Sequence, residues 1–231
     1  MTKDFTPEWI IVHCSATPPE MTEVDAAWID RVHRRKGWLG AGYHAIVTRP
    51  HEGQPPVLHD HAGGYPMRPI DRPGAHVGGC GAEWNRKTLG ICYAGGVDSS
   101  NVPEDNLTRQ QAVLLLGRIR EWQAEYGIPD ERVIGHRDLI RMTNSAPKAC
   151  PCLSTQALVN GTRFGGDFKF TRKINGGDIL SIPETHRVRR AESLWGISQA
   201  YGVTVEQLRE WNGIKDDMIR IGSVLSLRPA Q

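Results

Sequence analysis

The sequence contains no long apolar run. Its 231 residues have a mean hydropathy of -0.42, and no window approaches the roughly 18 to 20 apolar residues that a membrane-spanning helix needs. The first residues also lack a basic segment followed by an apolar core, because the apolar run at residues 9–12 has only the length of a strand. We therefore predict no secretory signal, no membrane insertion and synthesis in the cytoplasm.

An excess of charge of one sign is also missing. Lys and Arg number 28 against 26 Asp and Glu, which leaves a formal net charge of +2. This balance argues against a nucleic-acid binder, which would need a strongly basic surface. The 39% share of hydrophobic residues instead indicates a globular chain with a core of its own.

Cysteines are few and odd in number. The chain has five cysteines and is long enough to build a hydrophobic core without cross-links. A disulfide framework is typical of small secreted domains, which this sequence does not resemble. We interpret the cysteines as reduced thiols or as metal ligands.

The first 160 residues alternate between strand-like and helix-like patterns, which is typical of an α/β domain with a central sheet flanked by helices. We predict strands at residues 9–13, 43–48, 89–94 and 132–136, and a helix at residues 22–36. The clearest helix begins after Thr108, which forms a capping box with Gln111. Its apolar residues recur with helical spacing up to Tyr126, so they place one stripe against the sheet.

A change of composition separates a second unit from the first. Residues 161–185 are rich in glycine and show no sustained period, so we interpret them as a linker with a short strand. Residues 186–231 then form a compact β-α-α-β pattern. Ser193 begins a helix over residues 194–201, and Thr204 with Gln207 caps a second one. The predicted organisation is therefore a domain at 1–160, a linker at 161–185 and a small domain at 186–231.

Three residues are candidate metal ligands. His13 ends the first predicted strand, His136 ends a later one, and Cys150 lies in the loop of residues 146–152. Strand ends are where sheets of this class place their functional sites. Two imidazoles and one thiolate bind zinc tetrahedrally and leave the fourth position to water, the pattern of a catalytic zinc site. Spacing alone does not establish that the three meet.

Other histidines and cysteines offer competing interpretations. His59 and His61 would share one face of an extended segment and could bind a metal, although the surrounding glycines and prolines favour a solvated loop. Cys152 could replace Cys150 as a ligand. Cys14 is expected in the core, because it follows His13 in a strand and points to the opposite face. Three more histidines are expected on the surface: His33, His51 and His186.

Five segments carry a family resemblance: IIVHCSATPP, GYHAIVTR, NRKTLGICYAGG, VIGHRDL and APKACPCL. Together, over residues 7–160, they resemble the zinc-dependent N-acetylmuramoyl-L-alanine amidase family 2, which includes phage lysozyme-type amidases and peptidoglycan recognition proteins. The C-terminal unit, which begins HRVRRAESLWGI, is similar to a LysM domain, a peptidoglycan-binding module. The resemblance implies a central mixed β-sheet flanked by helices, followed by a small β-α-α-β domain.

The resemblance also implies residue roles. The matching positions are His13, His136 and Cys150 for zinc ligands, Tyr43 and Lys148 for catalytic residues, and His76 for a groove residue that contacts substrate. One departure concerns the 12 positions from His136 to Lys148. This spacing is longer than expected for the simplest phage members, so we predict a longer loop at the rim of the groove.

The implied function is hydrolysis of the amide bond between N-acetylmuramic acid and L-alanine in bacterial peptidoglycan, by a phage or prophage endolysin that acts as a monomer. Cys150 favours an enzyme, because binding-only recognition proteins of this fold typically lack the cysteine ligand. Three alternatives stay open: a recognition protein, a cytosolic wall-recycling amidase, which the LysM-like unit disfavours, and a toxin delivered to neighbouring cells. The missing signal predicts that the enzyme stays in the cytoplasm until it is released to the cell wall.

Overall fold

The computed structural model describes residues 5–51, 54–164, 170–174, 177–180, 185–188, 192–194, 197–198, 205–216 and 218–227. In the N-terminal domain the strands are β1 (Trp9–Cys14), β2 (Ala45–Val47), β3 (Leu58–Asp60), β4 (Thr88–Tyr93) and β5 (Val133–Gly135). The helices are α1 (Ala26–Arg35), α2 (Ala82–Asn85), α3 (Arg109–Tyr126), α4 (His136–Met142) and α5 (Thr155–Val159).

The five strands form one mixed sheet in the order β3-β2-β4-β1-β5. Strand β1 pairs in parallel with both β4 and β5, and β2 pairs in parallel with β4. Only β3, at the edge, runs antiparallel to its neighbour β2. Every residue of β1 after Trp9 is buried, as expected for a central strand covered on both faces. The predicted fold class, a central mixed sheet flanked by helices, is confirmed.

Helix α3 covers one face of the sheet. The Thr108 side chain accepts a hydrogen bond from the backbone N–H of Gln111, and the predicted capping box is present. Leu115, Leu116 and Ile119 of this helix are fully buried in the core that also contains residues of β1 and β4. The buried stripe therefore fixes α3 against the sheet, as the helical spacing predicts.

Several predicted boundaries differ from the structure. Strand β2 is shorter than predicted, which leaves Tyr43 in the loop before it. Helix α1 begins at Ala26 rather than near residue 22, because the Asp25 side chain caps it by accepting from the N–H of Trp28. The last predicted strand ends at Gly135, and His136 is the first residue of helix α4. A chain that turns from strand into helix at this point places His136 directly at the carboxyl edge of the sheet.

The C-terminal part contains two small antiparallel sheets. One pairs Phe170–Ile174 with Gly177–Leu180, inside the segment predicted to be a linker. The other pairs β-strands Thr185–Arg187 and Val224–Ser226, and a helix spans Val205–Asn212 between them. Most of the first helix predicted here, at residues 194–201, lies outside the described residues. Leu194 and Ile197 are buried together with Leu208 and Leu225, so this unit has its own apolar core.

No helix in the part of the chain that the structure describes has the length and hydropathy to cross a bilayer.

Candidate metal centre and active site

His13 and His136 are brought together by the register of two parallel strands. Val12 of β1 lies opposite Gly135 of β5, so the residue that follows each lies at the same edge of the sheet. The two imidazole rings have their centroids 4.7 Å apart. This parallel pairing unites two side chains that lie far apart in the sequence.

Cys150 reaches the same edge from the loop after α4. The N–H of Arg137 donates to the carbonyl oxygen of Cys150 over 2.7 Å, which ties this loop to the first turn of the helix. The Sγ atom of Cys150 accepts from the N–H of Cys14 at 3.4 Å. The next residue, Pro151, accepts a 2.7 Å hydrogen bond from the Tyr93 hydroxyl. Contacts to two strands and one helix thus fix the thiol beside β1.

The three candidate ligands form one compact group. Ligand atoms of His13, His136 and Cys150 all lie within 4.8 Å of one another. The Nδ1 atom of His13 and the Sγ atom of Cys150 are 3.7 Å apart. Ordinary zinc–nitrogen and zinc–sulfur bond lengths in a tetrahedral site place such a pair about 3.6 Å apart. The residues present therefore fit a zinc ion.

Each histidine has a nitrogen available for a metal. The Nε2 atom of His13 is engaged by His76, which leaves its Nδ1 atom facing Cys150. The Nε2 atom of His136 is buried and has no hydrogen-bond partner among the described residues. A buried polar atom without a partner is costly in a folded protein, and a bound cation would satisfy it.

The histidines of the centre are held neutral. Burial lowers the pKa of His13 well below its ordinary value of 6.5, and the neighbouring His136 lowers it further. Burial, reinforced by the charge of Lys148, lowers the pKa of His136 to about 4. Neutral imidazole is the form that binds metals, so the centre is ready to accept a cation at neutral pH.

His76 lies buried behind His13. Its Nδ1 atom is 3.1 Å from Nε2 of His13, and its Nε2 atom lies 3.3 Å from the carbonyl oxygen and 3.2 Å from the hydroxyl of Thr88. The ring fits against β4 because Gly90 has no side chain: a Cβ atom there would lie 2.5 Å from the His76 ring. The substrate contact expected for His76 stays a prediction, and the hydrogen-bond partners of its ring in the structure are His13 and Thr88.

Tyr43 and Lys148 border the same centre. The Tyr43 ring lies 5.0 Å from the His13 ring, centroid to centroid. Burial raises the pKa of the Tyr43 hydroxyl well above 10, so this group remains a hydrogen-bond donor at neutral pH. Lys148 is exposed and its Nζ atom donates to the carbonyl oxygen of Gly78 at 3.3 Å. The charge of Lys148 lowers the pKa of both His13 and His136, which indicates its proximity to them.

The competing ligands lie elsewhere. The thiol of Cys152 lies 3.7 Å from that of Cys14, and Cys152 is not part of the metal-binding group. Cys14 is buried in the core, as predicted. His59 is in strand β3 rather than in a solvated loop, because its ring stacks on Tyr65 with centroids 3.7 Å apart and its Nδ1 accepts from the N–H of Ala26.

Two histidines that were expected on the surface are buried. His33 is buried, and its Nδ1 atom accepts from the N–H of Gly42 at 2.9 Å, which fixes the loop that carries Tyr43. His186 is also buried and pairs with Glu192 at 2.7 Å. Helical periodicity could have identified His33, since it lies four residues after the buried Ile29 on helix α1. His51 is exposed, as expected.

A neutral pair of histidines and a cysteine at the edge of a mixed sheet define a candidate zinc hydrolase centre. Residues 3–152 match the N-acetylmuramoyl-L-alanine amidase family, and residues 186–228 match the LysM domain. Because the first match covers more than half of the sequence, the chain belongs to the N-acetylmuramoyl-L-alanine amidase family.

Similar proteins include phage endolysins. The endolysin of Enterobacteria phage K11 is 34% identical over 158 residues, which cover 68% of this chain and 89% of the phage protein. The endolysin of Klebsiella phage KP32 is 33% identical over 150 residues, 65% of this chain and 83% of that protein. The family match and these relatives identify the chain as a peptidoglycan amidase of the phage endolysin type.

Among solved structures, the N-acetylmuramoyl-L-alanine amidase LysC from Clostridium intestinale URNW aligns with a TM-score of 0.49 and 22% sequence identity. The alignment covers 69% of this chain and 86% of LysC.

Proposed function

We propose that this enzyme uses zinc, held by His13, His136 and Cys150, to cleave the amide bond between N-acetylmuramic acid and L-alanine. The observation that carries the proposal is the convergence of these three ligand atoms within 4.8 Å of one another. A zinc ion held by these three residues would supply Lewis acidity, to activate water and to polarise the scissile carbonyl. Three protein ligands would leave the fourth tetrahedral position for water, the pattern of a catalytic zinc site.

Lys148 and Tyr43 are the proposed catalytic residues. The Lys148 ammonium group is exposed beside the histidine pair, where its positive charge stabilises the oxyanion that develops on the scissile carbonyl. Tyr43 keeps its hydroxyl proton because burial raises its pKa. That hydroxyl donates a hydrogen bond to the reacting oxygen and relays a proton towards the leaving amine. The substrate contact assigned to His76 belongs to the same proposal.

The C-terminal unit is proposed to hold the enzyme on its substrate. Residues 186–228 match the LysM domain, and we assign them weak binding to N-acetylglucosamine-containing glycan chains. Tethering such a module to the catalytic domain raises the effective concentration of peptidoglycan at the active site without a new contact there. A wall anchor of this kind favours action on the intact cell wall over recycling of soluble fragments.

A recognition protein without catalysis is the main alternative, and substitution at the two neighbouring cysteines tests it. Cys150→Ser is expected to lose bound zinc and hydrolysis together, whereas Cys152→Ser keeps both because its thiol contacts Cys14. Zinc content measured by atomic spectroscopy and release of new amino groups from peptidoglycan provide the two readouts. Wild-type protein that binds the wall but releases no amino groups when loaded with zinc would support the recognition protein instead.

A further inference from the structure

A cavity of about 340 Å³ opens beside Lys148, formed by α4 and the segment that follows it. Four of its lining residues, Arg137, Ile140, Arg141 and Asn144, follow one another at intervals of three, one and three positions. This spacing places them on one face of α4 and its C-terminal turn. Because Arg137, which lines the cavity, directly follows the candidate ligand His136 on α4, the cavity lies next to the candidate zinc centre.

The stretch from His136 to Lys148, predicted to be a longer loop, forms this wall, but it is helix α4 up to Met142 and an irregular segment only after it. Just after the helix, the Thr143 hydroxyl donates to the carbonyl oxygen of Leu139 at 3.0 Å. Further along, the Ser145 hydroxyl donates to the carbonyl oxygen of Gly79 at 2.8 Å. Hydrogen bonds to its own helix and to a second loop give this segment a defined shape, as a binding subsite needs.

All the charged residues that line the cavity are positive. Arg137, Arg141 and Lys148 line it, and no carboxylate is among its lining residues. The neighbouring Asp138 lies 3.6 Å from Arg141 and 4.0 Å from Arg137, so it balances one of the three positive charges. Arg137 is fixed by donating to the carbonyl oxygen of Leu153 at 2.7 Å. The Arg141 side chain is 73% exposed and therefore available to a ligand.

We propose that this cavity binds a carboxylate of the stem peptide, at the residue that follows L-alanine. The inference rests on the proposed function and specifies its substrate. A D-glutamate linked through its γ-carboxyl group keeps a free α-carboxylate. An extended chain advances about 3.3 to 3.6 Å per residue, so this group lies within one or two residue lengths of the scissile bond. The arginine guanidinium groups are suited to bind it through paired hydrogen bonds.

Two synthetic substrates that differ in one group test the proposal. Both contain N-acetylmuramic acid, L-alanine and a γ-linked D-glutamyl residue; one carries the free α-carboxylate and the other the α-carboxamide. The zinc-loaded full chain is expected to show a kcat/KM on the order of tenfold higher for the carboxylate, in keeping with a charge-assisted hydrogen bond. Arg141→Gln is expected to abolish most of this ratio, Arg141→Lys to retain part of it, and Arg141→Glu to reverse it.

Arg132→Gln is the matched control. Arg132 is also an exposed arginine near one carboxylate, 3.6 Å from Glu8, but it lies before β5 and therefore at the opposite edge of the sheet from the centre. The control is expected to keep the wild-type ratio. Equal cleavage of the two substrates by the wild type, or the same ratio in Arg141→Glu, would overturn the carboxylate subsite and leave the amidase intact. Failure to cleave either substrate would instead contradict the proposed function.

Discussion

The Nε2 atom of His13 lies 3.1 Å from the Nδ1 atom of His76, and both rings are buried. With His13 presenting Nδ1 to the metal, its Nε2 carries the proton and donates to His76. The Nε2–H group of His76 in turn donates to Thr88, whose hydroxyl donates to the carbonyl oxygen of Trp84 at 2.7 Å. These hydrogen bonds would fix the tautomer and the orientation of His13, the proposed zinc ligand, through a residue outside the proposed ligand set.

Replacing His76 therefore weakens zinc binding. His76→Phe keeps an aromatic ring but removes the acceptor for His13, and the zinc affinity is expected to fall by about ten- to hundredfold. His44→Phe is the control, since His44 is equally buried but bonds to the backbone of Arg72 and Gly90. Competition with a zinc-binding dye measures the affinity. Equal losses in the two variants would show that the effect comes from general destabilisation.

Removing the Lys148 charge is expected to slow hydrolysis while zinc binding is retained. Lys148→Met is expected to lower kcat by about 100- to 1,000-fold, the range for loss of one oxyanion-stabilising group, while the zinc content stays at the wild-type level. Lys148 is exposed, so the substitution leaves the core intact. Hydrolysis at the wild-type rate by the zinc-loaded variant would show that the oxyanion is stabilised elsewhere.

Tyr43→Phe removes the hydroxyl and keeps the ring, so it tests the role of the hydroxyl alone. The ring packs against His13 and His33, and phenylalanine preserves those contacts. We expect kcat to fall by about 100-fold, the lower end of the range for general acid–base catalysis, with little change in thermal unfolding. Steady-state kinetics and the melting temperature check both parts. Unchanged kcat would exclude the hydroxyl from the reaction.

The free energy of unfolding is expected to fall as the pH is lowered from about 6.5 to about 4. Burial, reinforced by the charge of Arg68, lowers the pKa of His44 from 6.5 to about 4. In this window the unfolded chain binds a proton that the folded chain does not, so stability rises with pH. The full effect of His44 is about 3 kcal/mol.

Urea unfolding in the presence of a metal chelator measures this dependence free of zinc. His44→Gln is expected to show a shallower decline between pH 6.5 and 4 than the wild type, because the proton-linked contribution of His44 is gone. The same decline in both proteins would mean that His44 does not contribute to the pH dependence.

The sequence predicts local structure well where capping and periodicity are strong. The capping box at Thr108, the buried stripe of α3 and the central strand β1 are present as predicted. The position of His136 is not, because the apolar pattern favours a strand that continues through this residue. Helix α4 instead begins there with a local cap, in which the N–H of Gly135 donates to the Asp138 carboxylate three residues later.

The three residues of the candidate centre come from separate segments of the chain, so the pattern of no single segment predicts that they meet. His13 and His136 meet through the parallel register of β1 and β5, and Cys150 joins them through backbone contacts with Cys14 and Arg137. The family resemblance selected these residues, whereas spacing alone left other pairs open. The sequence does not reveal the burial of His59, because its ring accepts a hydrogen bond from the backbone N–H of Ala26, 33 positions away. The burial of His33, by contrast, follows from its helical spacing to Ile29.

Mass spectrometry of purified peptidoglycan digested by the full chain, with and without a zinc chelator, identifies both the cleaved bond and the metal dependence. Free stem peptides that begin at L-alanine are expected beside intact glycan chains. The chelator is expected to abolish these products, and added zinc to restore them. Cleaved glycan or cleaved peptide cross-links, or the same products in the presence of the chelator, would contradict a zinc-dependent amidase.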